Sequence, residues 1–144
     1  MKRTLNFALA AVVVAATLVL MAVPKTFADG GSCSNSTLQG SYGASITGTV
    51  SGLPLAELDL VSADGKGNFT SGSGTVSIGG TISSFTFTGT YTINADCSGS
   101  ASLSTGVTQN LVIKSDGSEV MFIGTNDPNA QVTGVAKRVQ HSGD

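Results

Sequence analysis

From residue 38 onward the chain alternates apolar or small residues with hydroxyl residues at a period of two, and this pattern restricts its fold most strongly. In residues 83–93, SSFTFTGTYTI, one side carries Ser and Thr, and the other carries Phe85, Phe87, Tyr91 and Ile93. Successive side chains of a β-strand point to opposite faces, so one side of such a ribbon is buried and the other is wet. The alternation predicts an antiparallel sheet that is covered on one face.

Turn signals rich in Gly, Asp, Asn and Pro separate the alternating stretches. Asp-Gly and Gly-Gly pairs supply the positive φ angles that tight hairpins need. The predicted strands are residues 38–50, 55–63, 67–78, 82–94, 99–105, 108–115, 118–125 and 130–140. Because nothing after the first residues has helical periodicity, folds that need crossover helices are excluded. The predicted fold is all-β: an eight-stranded antiparallel up-and-down barrel that closes on itself to hide its apolar face and its edges.

Two of these strands have an ambiguous pattern. In AELDL, the second strand, Ala56, Leu58 and Leu60 are expected to face inward, with Glu57 and Asp59 on the solvated side. Residues 71–84, SGSGTVSIGGTISS, read either as a flexible linker between two domains or as a Gly-rich strand with a bulge. The strand is preferred, since a bulge accounts for the phase slip between Phe69 and Val76.

The first 28 residues resemble a secretory signal peptide. A basic start is followed by an apolar stretch at 7–23 and by Ala28 at the expected cleavage point. An uncleaved membrane anchor is the alternative, although 17 apolar residues are slightly short for a span; a lipoprotein fits less well. The predicted organisation is a signal peptide at 1–28, an N-terminal segment at 29–37 and one barrel domain at 38–140, secreted or periplasmic.

The net charge limits the classes of partner that the protein could bind, and the two cysteines indicate its cellular compartment. After cleavage, nine acidic residues face four basic ones, which argues against a nucleic-acid partner. Cys33 and Cys97 are predicted to form a disulfide, because an isolated pair in an oxidising compartment most simply bridges. The bridge ties the N-terminal segment to the turn after the fourth strand.

Few residues are suited to catalysis or metal binding. The lone His141 lies near the chain end, which argues against a triad or a His-metal site. Glu57 and Asp59 share a face and form a candidate acid–base pair of the glycosidase type, but a solvated or edge-protecting face is the preferred interpretation. Residues 64–68, DGKGN, begin like a calcium loop without its later ligands and are read as a hairpin turn. No catalytic residue, metal or cofactor is assigned.

The combination of CSNSTLQGSYG, DGKGN, GTYT and DCSG resembles a group of small exported bacterial proteins across nearly the whole segment after residue 28. This resemblance implies export and the Cys33–Cys97 disulfide, and it implies no chemistry. In architecture the chain is similar to the small barrels of the calycin and allene-oxide-cyclase type. Likeness of fold does not transfer function.

The sequence therefore favours a non-enzymatic exported barrel that binds a small apolar molecule in its interior. The candidate ligand-binding residues are the inward aromatics, namely Tyr42, Phe85, Phe87, Tyr91 and Phe122. The alternative is a cell-surface or matrix protein that acts through its Ser/Thr-rich exterior. An enzyme that uses Glu57 and Asp59 is the third hypothesis.

Overall fold

The computed structural model describes residues 32–140, which form a closed eight-stranded barrel. Each strand pairs antiparallel with the next, and β8 pairs with β1 to close the sheet. A short 3-10 helix at Asn35–Thr37 precedes the strands. The strands are β1 Gln39–Val50, β2 Leu53–Asp64, β3 Asn68–Ile78, β4 Thr81–Ile93, β5 Ser98–Leu103, β6 Thr108–Ile113, β7 Glu119–Gly124 and β8 Ala130–Gln140.

The predicted all-β meander barrel is confirmed, and its strand boundaries agree with the prediction to within about two residues. The proposed signal peptide at 1–28 lies outside the described residues. Among residues 32–140, no helix is long and apolar enough to cross a membrane. Residues 71–84 belong to β3 and β4 and not to a linker. The ladder of β3 with β4 shifts register between Phe69 and Gly72, which confirms the bulge, and both Phe69 and Val76 are buried.

The predicted orientation of β2 is wrong. Leu58 and Leu60 are 67% and 52% exposed, whereas Leu55 and Ala63 are buried. The odd-numbered residues therefore face the interior, and Glu57 and Asp59 face it with them.

The tight turn between β1 and β2 explains this orientation. Ser51 and Gly52 both have positive φ, of 50° and 80°, as a two-residue hairpin of the type I′ class requires. This turn sets Ile46 opposite Glu57. Directly opposed residues of an antiparallel pair share a face, so an inward Ile46 directs Glu57 inward as well.

Aromatic rings that lie over inward glycines fill part of the interior. Gly72 pairs with Phe87 and Gly74 with Phe85, and a Cβ at either glycine would overlap with the ring of its partner. Gly134 and Phe122 form the same arrangement between β8 and β7. Glycine thus makes room for rings that reach from the neighbouring strand. The inward orientation predicted for the phenylalanines of β4 is confirmed.

The N-terminal segment covers one end of the barrel, which we call the closed end. Cys33 forms a disulfide with Cys97, as predicted, and both Cys33 and Leu38 are buried. The Asn35 side-chain oxygen accepts a hydrogen bond from the backbone N–H of Ile93 at 2.8 Å. The Tyr91 hydroxyl donates to the carbonyl of Leu38 at 2.6 Å. Covalent and hydrogen bonds together hold this segment across the closed end.

Tyr42 and Arg138 complete the closed end. The Tyr42 hydroxyl donates to the Gly117 carbonyl at 2.8 Å and accepts from the Arg138 guanidinium at 3.0 and 3.2 Å. Arg138 also donates to the Thr37 carbonyl at 3.2 Å. The phenol thus links the β6–β7 turn to the N-terminal segment through β8.

Tyr42→Phe is expected to lower the free energy of unfolding by about 1 to 2 kcal/mol, because it leaves a buried carbonyl and part of a guanidinium without a partner. Chemical denaturation measures the change. Ser45→Ala, which removes an exposed hydroxyl from the same strand, is the control and is expected to stay within about 0.5 kcal/mol of the wild type. Equal stability of the two variants would contradict a structural role for the phenol.

Candidate functional site

The opposite end of the barrel, which we call the open end, leads into a cavity of about 330 Å³. Its wall is mainly apolar and is built from every strand except β3. The loops at 104–107 and 125–129 form part of its rim. The lining residues that matter below are Ile46, Val50, Leu55, Glu57, Asp59, Phe85, Leu103, Val107, Asp127 and Val132.

A smaller void of about 50 Å³ lies on the closed-end side of this cavity. The two spaces share Ile46, Asp59, Leu103 and Gln109 in their walls. The small void has room for one or a few water molecules and is too small for an organic ligand. The interior is therefore filled at the closed end and hollow at the open end.

Two carboxyl side chains of β2, Glu57 and Asp59, lie in the wall of this apolar cavity. Among the described strand residues, they are the only two carboxyls that are neighbours. Their neighbours across the sheet are uncharged: Ile46 and Val76 lie opposite Glu57, and Ala44 and Gly74 lie opposite Asp59. Both carboxyls are about half-buried. The sequence interpretation that placed this pair on a solvated face is wrong because it placed β2 the wrong way round.

The pair is protonated more readily than ordinary carboxyls. Burial, the nearby Asp59 charge and a hydrogen bond with Asp59 together raise the pKa of Glu57 from 4.5 to about 7. Burial also raises the pKa of Asp59. Two adjacent carboxyls with little solvent favour a state in which the pair shares one proton.

One oxygen of this pair lacks a donor within the described part of the chain. Asp59 Oδ1 is buried and has no hydrogen-bond partner among the N–H and O–H groups of residues 32–140. It lies close to Gly74, where a Cβ would overlap with it. A buried acceptor without a donor is costly when it is charged, which favours the protonated form of the pair.

The five aromatic residues predicted to bind a ligand are inward-facing but divide between the two ends. Phe85 lines the open-end cavity. Tyr42, Phe87 and Phe122 line the small inner void, and Tyr91 lines neither space. Both tyrosine hydroxyls are already bonded to backbone carbonyls at the closed end. Of the five, Phe85 is therefore the one best placed to meet a molecule from solvent.

Other features singled out in the sequence have structural roles in the described residues. The Asp64 carboxylate accepts hydrogen bonds from the backbone N–H groups of Lys66 and Asn68, as expected of a hairpin turn. These bonds and the Asn68 amide lower the pKa of Asp64 to about 2. No group of three His, Cys, Asp or Glu residues within 32–140 is arranged to hold a metal ion. His141 lies outside the described residues.

Sequence reasoning missed the rim of the cavity. Leu103, Val107 and Val132 lie on three different strands or loops, and only the closed topology brings them together. Asp127, in the turn before β8, adds a third carboxylate to the cavity wall. None of the described residues that line the cavity is basic.

No protein-family model and no curated protein matches the chain. A solved structure of a redesigned β-barrel is similar to it, with a TM-score of 0.49 and 16% sequence identity. That match covers 74% of this chain and 95% of the barrel. The assignment of the fold stands on the closed strand pairing described above.

A second concavity lies on the outer wall, across β1, β6, β7 and β8. Val112, Met121 and Val135 are neighbours in register and form its apolar floor with Ile123. None of the residues that line it is titratable. The interior cavity, where apolar walls meet two carboxyls, is the better candidate for a functional site.

Proposed function

We propose that the protein is an exported binding protein that holds a small, mostly apolar molecule in the open-end cavity. The observation that carries this proposal is the cavity itself, which at about 330 Å³ reaches the size range of small-molecule sites and is walled mainly by apolar side chains. The Cys33–Cys97 disulfide is consistent with an oxidising compartment. Cleavage of residues 1–28 and the secreted or periplasmic location are part of the proposal, as is kinship with the small exported bacterial proteins.

The carboxyl pair favours binding over glycosidase chemistry. Glycosidases place their two carboxyls on either side of the scissile bond, about 5 Å or more apart. Glu57 and Asp59 lie two residues apart on β2 and project from the same wall of the cavity, so they stand side by side and not on opposite sides of a bound sugar linkage. A role in recognising a polar group of the ligand suits this geometry better.

A cell-surface or matrix role is the second candidate. The observation in its favour is the outer face of β3 and β4, where exposed hydroxyls face one another across the ladder. Ser73 pairs with Thr86 and Thr75 with Ser84, and the last two hydroxyls lie 3.4 Å apart. Such a face suits hydrogen bonding to glycans or to neighbouring proteins.

Val107→Trp tests the binding proposal. Val107 is 39% exposed and lines the cavity near its rim, so an indole at this position blocks the entrance without disturbing the closed end. We expect the neutral fluorophore N-phenyl-naphthylamine to bind the wild type saturably and the variant at least about tenfold more weakly. Fluorescence titration measures both.

Val112→Trp is the matched control. Val112 is similarly exposed, at 51%, but lies on the outer face of β6, and its variant should bind like the wild type. Mass spectrometry of protein isolated from its native host identifies any molecule that remains in the cavity. Absence of saturable binding to the wild type, or equal binding by Val107→Trp and Val112→Trp, would contradict an internal binding site.

A further inference from the structure

We propose that the molecule bound in the open-end cavity carries a single primary amine on an apolar body, and that this ammonium group pairs with Glu57 and Asp59. The inference rests on the proposed function and specifies its ligand class. The apolar wall receives the body of the molecule, and the carboxyl pair receives its charged head.

Charge complementarity supports a cationic ligand. Glu57, Asp59 and Asp127 are the charged residues of the described cavity wall, and no Lys or Arg stands among them. An anionic ligand would meet three carboxylates with no compensating base. A neutral apolar ligand would fill the cavity but would leave the carboxyl pair desolvated without a new partner.

The number of hydrogen-bond donors on the ligand separates an amine from an alcohol. Glu57 and Asp59 both contribute to the wall of the cavity. An ammonium group has three donors and no acceptor, so it serves two carboxyls and retains one bond for water. A hydroxyl group has one donor and serves only one carboxyl at a time.

An organic cation fits this site better than a metal ion. Calcium takes six to eight oxygen ligands and magnesium takes an octahedron. Within residues 32–140, no three His, Cys, Asp or Glu side chains are arranged to hold a metal ion. Two carboxyls in an apolar wall provide too few ligands for either metal, but they suffice for one ammonium group.

Protonation of the pair makes amine binding dependent on pH. The strands packed against β2 place Ile46, Ala44, Val76 and Gly74 opposite the pair, so the remaining charged group to consider is Asp127 of the rim. A primary amine stays protonated to about pH 10. As the pH rises through about 7, Glu57 loses its proton and the pair attracts the ammonium group more strongly.

The test compares phenethylamine with phenethyl alcohol, which has the same apolar body and no charge. At about pH 8 we expect the wild-type protein to bind the amine at least tenfold more tightly than the alcohol, and this preference should shrink at about pH 5.5. Isothermal titration calorimetry gives the dissociation constants. Glu57→Gln and, independently, Asp59→Asn should each weaken amine binding by about tenfold and change alcohol binding by less than about threefold.

Glu119→Gln is the control, because Glu119 lies outside the cavity, where its carboxylate pairs with Lys137 at 3.7 Å. It should leave both affinities unchanged. Equal affinities for the amine and the alcohol, or amine binding that both cavity variants retain, would overturn the amine assignment and leave the binding function standing. So would binding of N-phenyl-naphthylamine without binding of either phenethyl compound. Failure of all three compounds to bind the wild type would overturn both proposals.

Discussion

Loss of the Cys33–Cys97 disulfide is expected to lower the melting temperature by about 10 °C or more, the largest single effect that we predict. The bridge joins residues 64 apart in sequence, and closing a loop of that length restricts the unfolded chain by roughly 4 kcal/mol at most on the entropy account. Engineered and natural bridges often deliver less, so a loss of about 2 to 4 kcal/mol is expected.

Thermal melts followed by circular dichroism measure this effect for the wild type with and without reductant. The variant with both Cys33→Ser and Cys97→Ser should melt like the reduced wild type. Reductant should not shift the melt of that variant any further, which separates the loss of the bridge from other effects of the reagent. A wild-type melt that is unchanged by reduction would show that the bridge does not stabilise the fold.

The second large effect is a loss of stability as the pH rises from about 5 to 8. The folded protein binds a proton at Glu57 with a pKa of about 7, whereas the ordinary value is 4.5. Between these values the folded state holds more protons than the unfolded state, so raising the pH favours unfolding. This stabilisation is complete below about pH 4.5 and is lost as the pH passes through about 7. Asp59, whose pKa burial also raises, acts in the same direction.

Glu57→Gln should remove most of this dependence, because the amide keeps a donor for Asp59 and carries no charge. At about pH 8 the variant should be more stable than the wild type by about 1 to 2 kcal/mol. This difference is smaller than the free energy that the full pKa shift would give, because the carboxyl is half-exposed to water. At about pH 5 the two proteins should be nearly equal. Urea unfolding across this range, with Glu119→Gln as the control, measures the difference. Wild-type stability that is constant or rises over this range would contradict the raised pKa.

Most of the barrel was predictable because local rules agree with one another. Period-two alternation in β1 and β4 fixes which side is buried, and Gly-rich turns fix where strands end. Cys33 and Cys97 add one long-range constraint to this local pattern. Closure follows from the need of eight amphipathic strands to cover a common apolar face.

The orientation of β2 was not predictable from its own hydrophobicity, because both of its faces carry apolar residues. Leu55 and Val61 lie on the inner face, while Leu58 and Leu60 lie on the outer one. The two-residue turn at Ser51 and Gly52 carried the missing signal. It sets the register of β1 against β2, and this register pairs Ile46 with Glu57. Register from the turn outweighs the alternation of a short segment when the two conflict.

The candidate site was harder to predict than the fold because it depends on which residues meet across strands. Glu57 and Asp59 were identified as a pair, but their environment depends on Gly74, Phe85 and the rim loops. Phe85 lies over Gly74, which belongs to the neighbouring strand, but the cavity is bounded by strands that are far apart in sequence. The burial of the carboxyl pair could therefore be recognised only from the closed sheet and not from the sequence of β2.

The N-terminal segment and the last residues of β8 both lie at the closed end of the barrel. Residue 32 leads into the segment bound to Cys97, and Ser41 pairs with Gln140 where β1 meets β8. A tether attached to the N-terminal segment or to β8 would therefore orient the open end of the barrel away from the support. The protein is thus suited to immobilisation or fusion, since small molecules would still reach the interior from the far side.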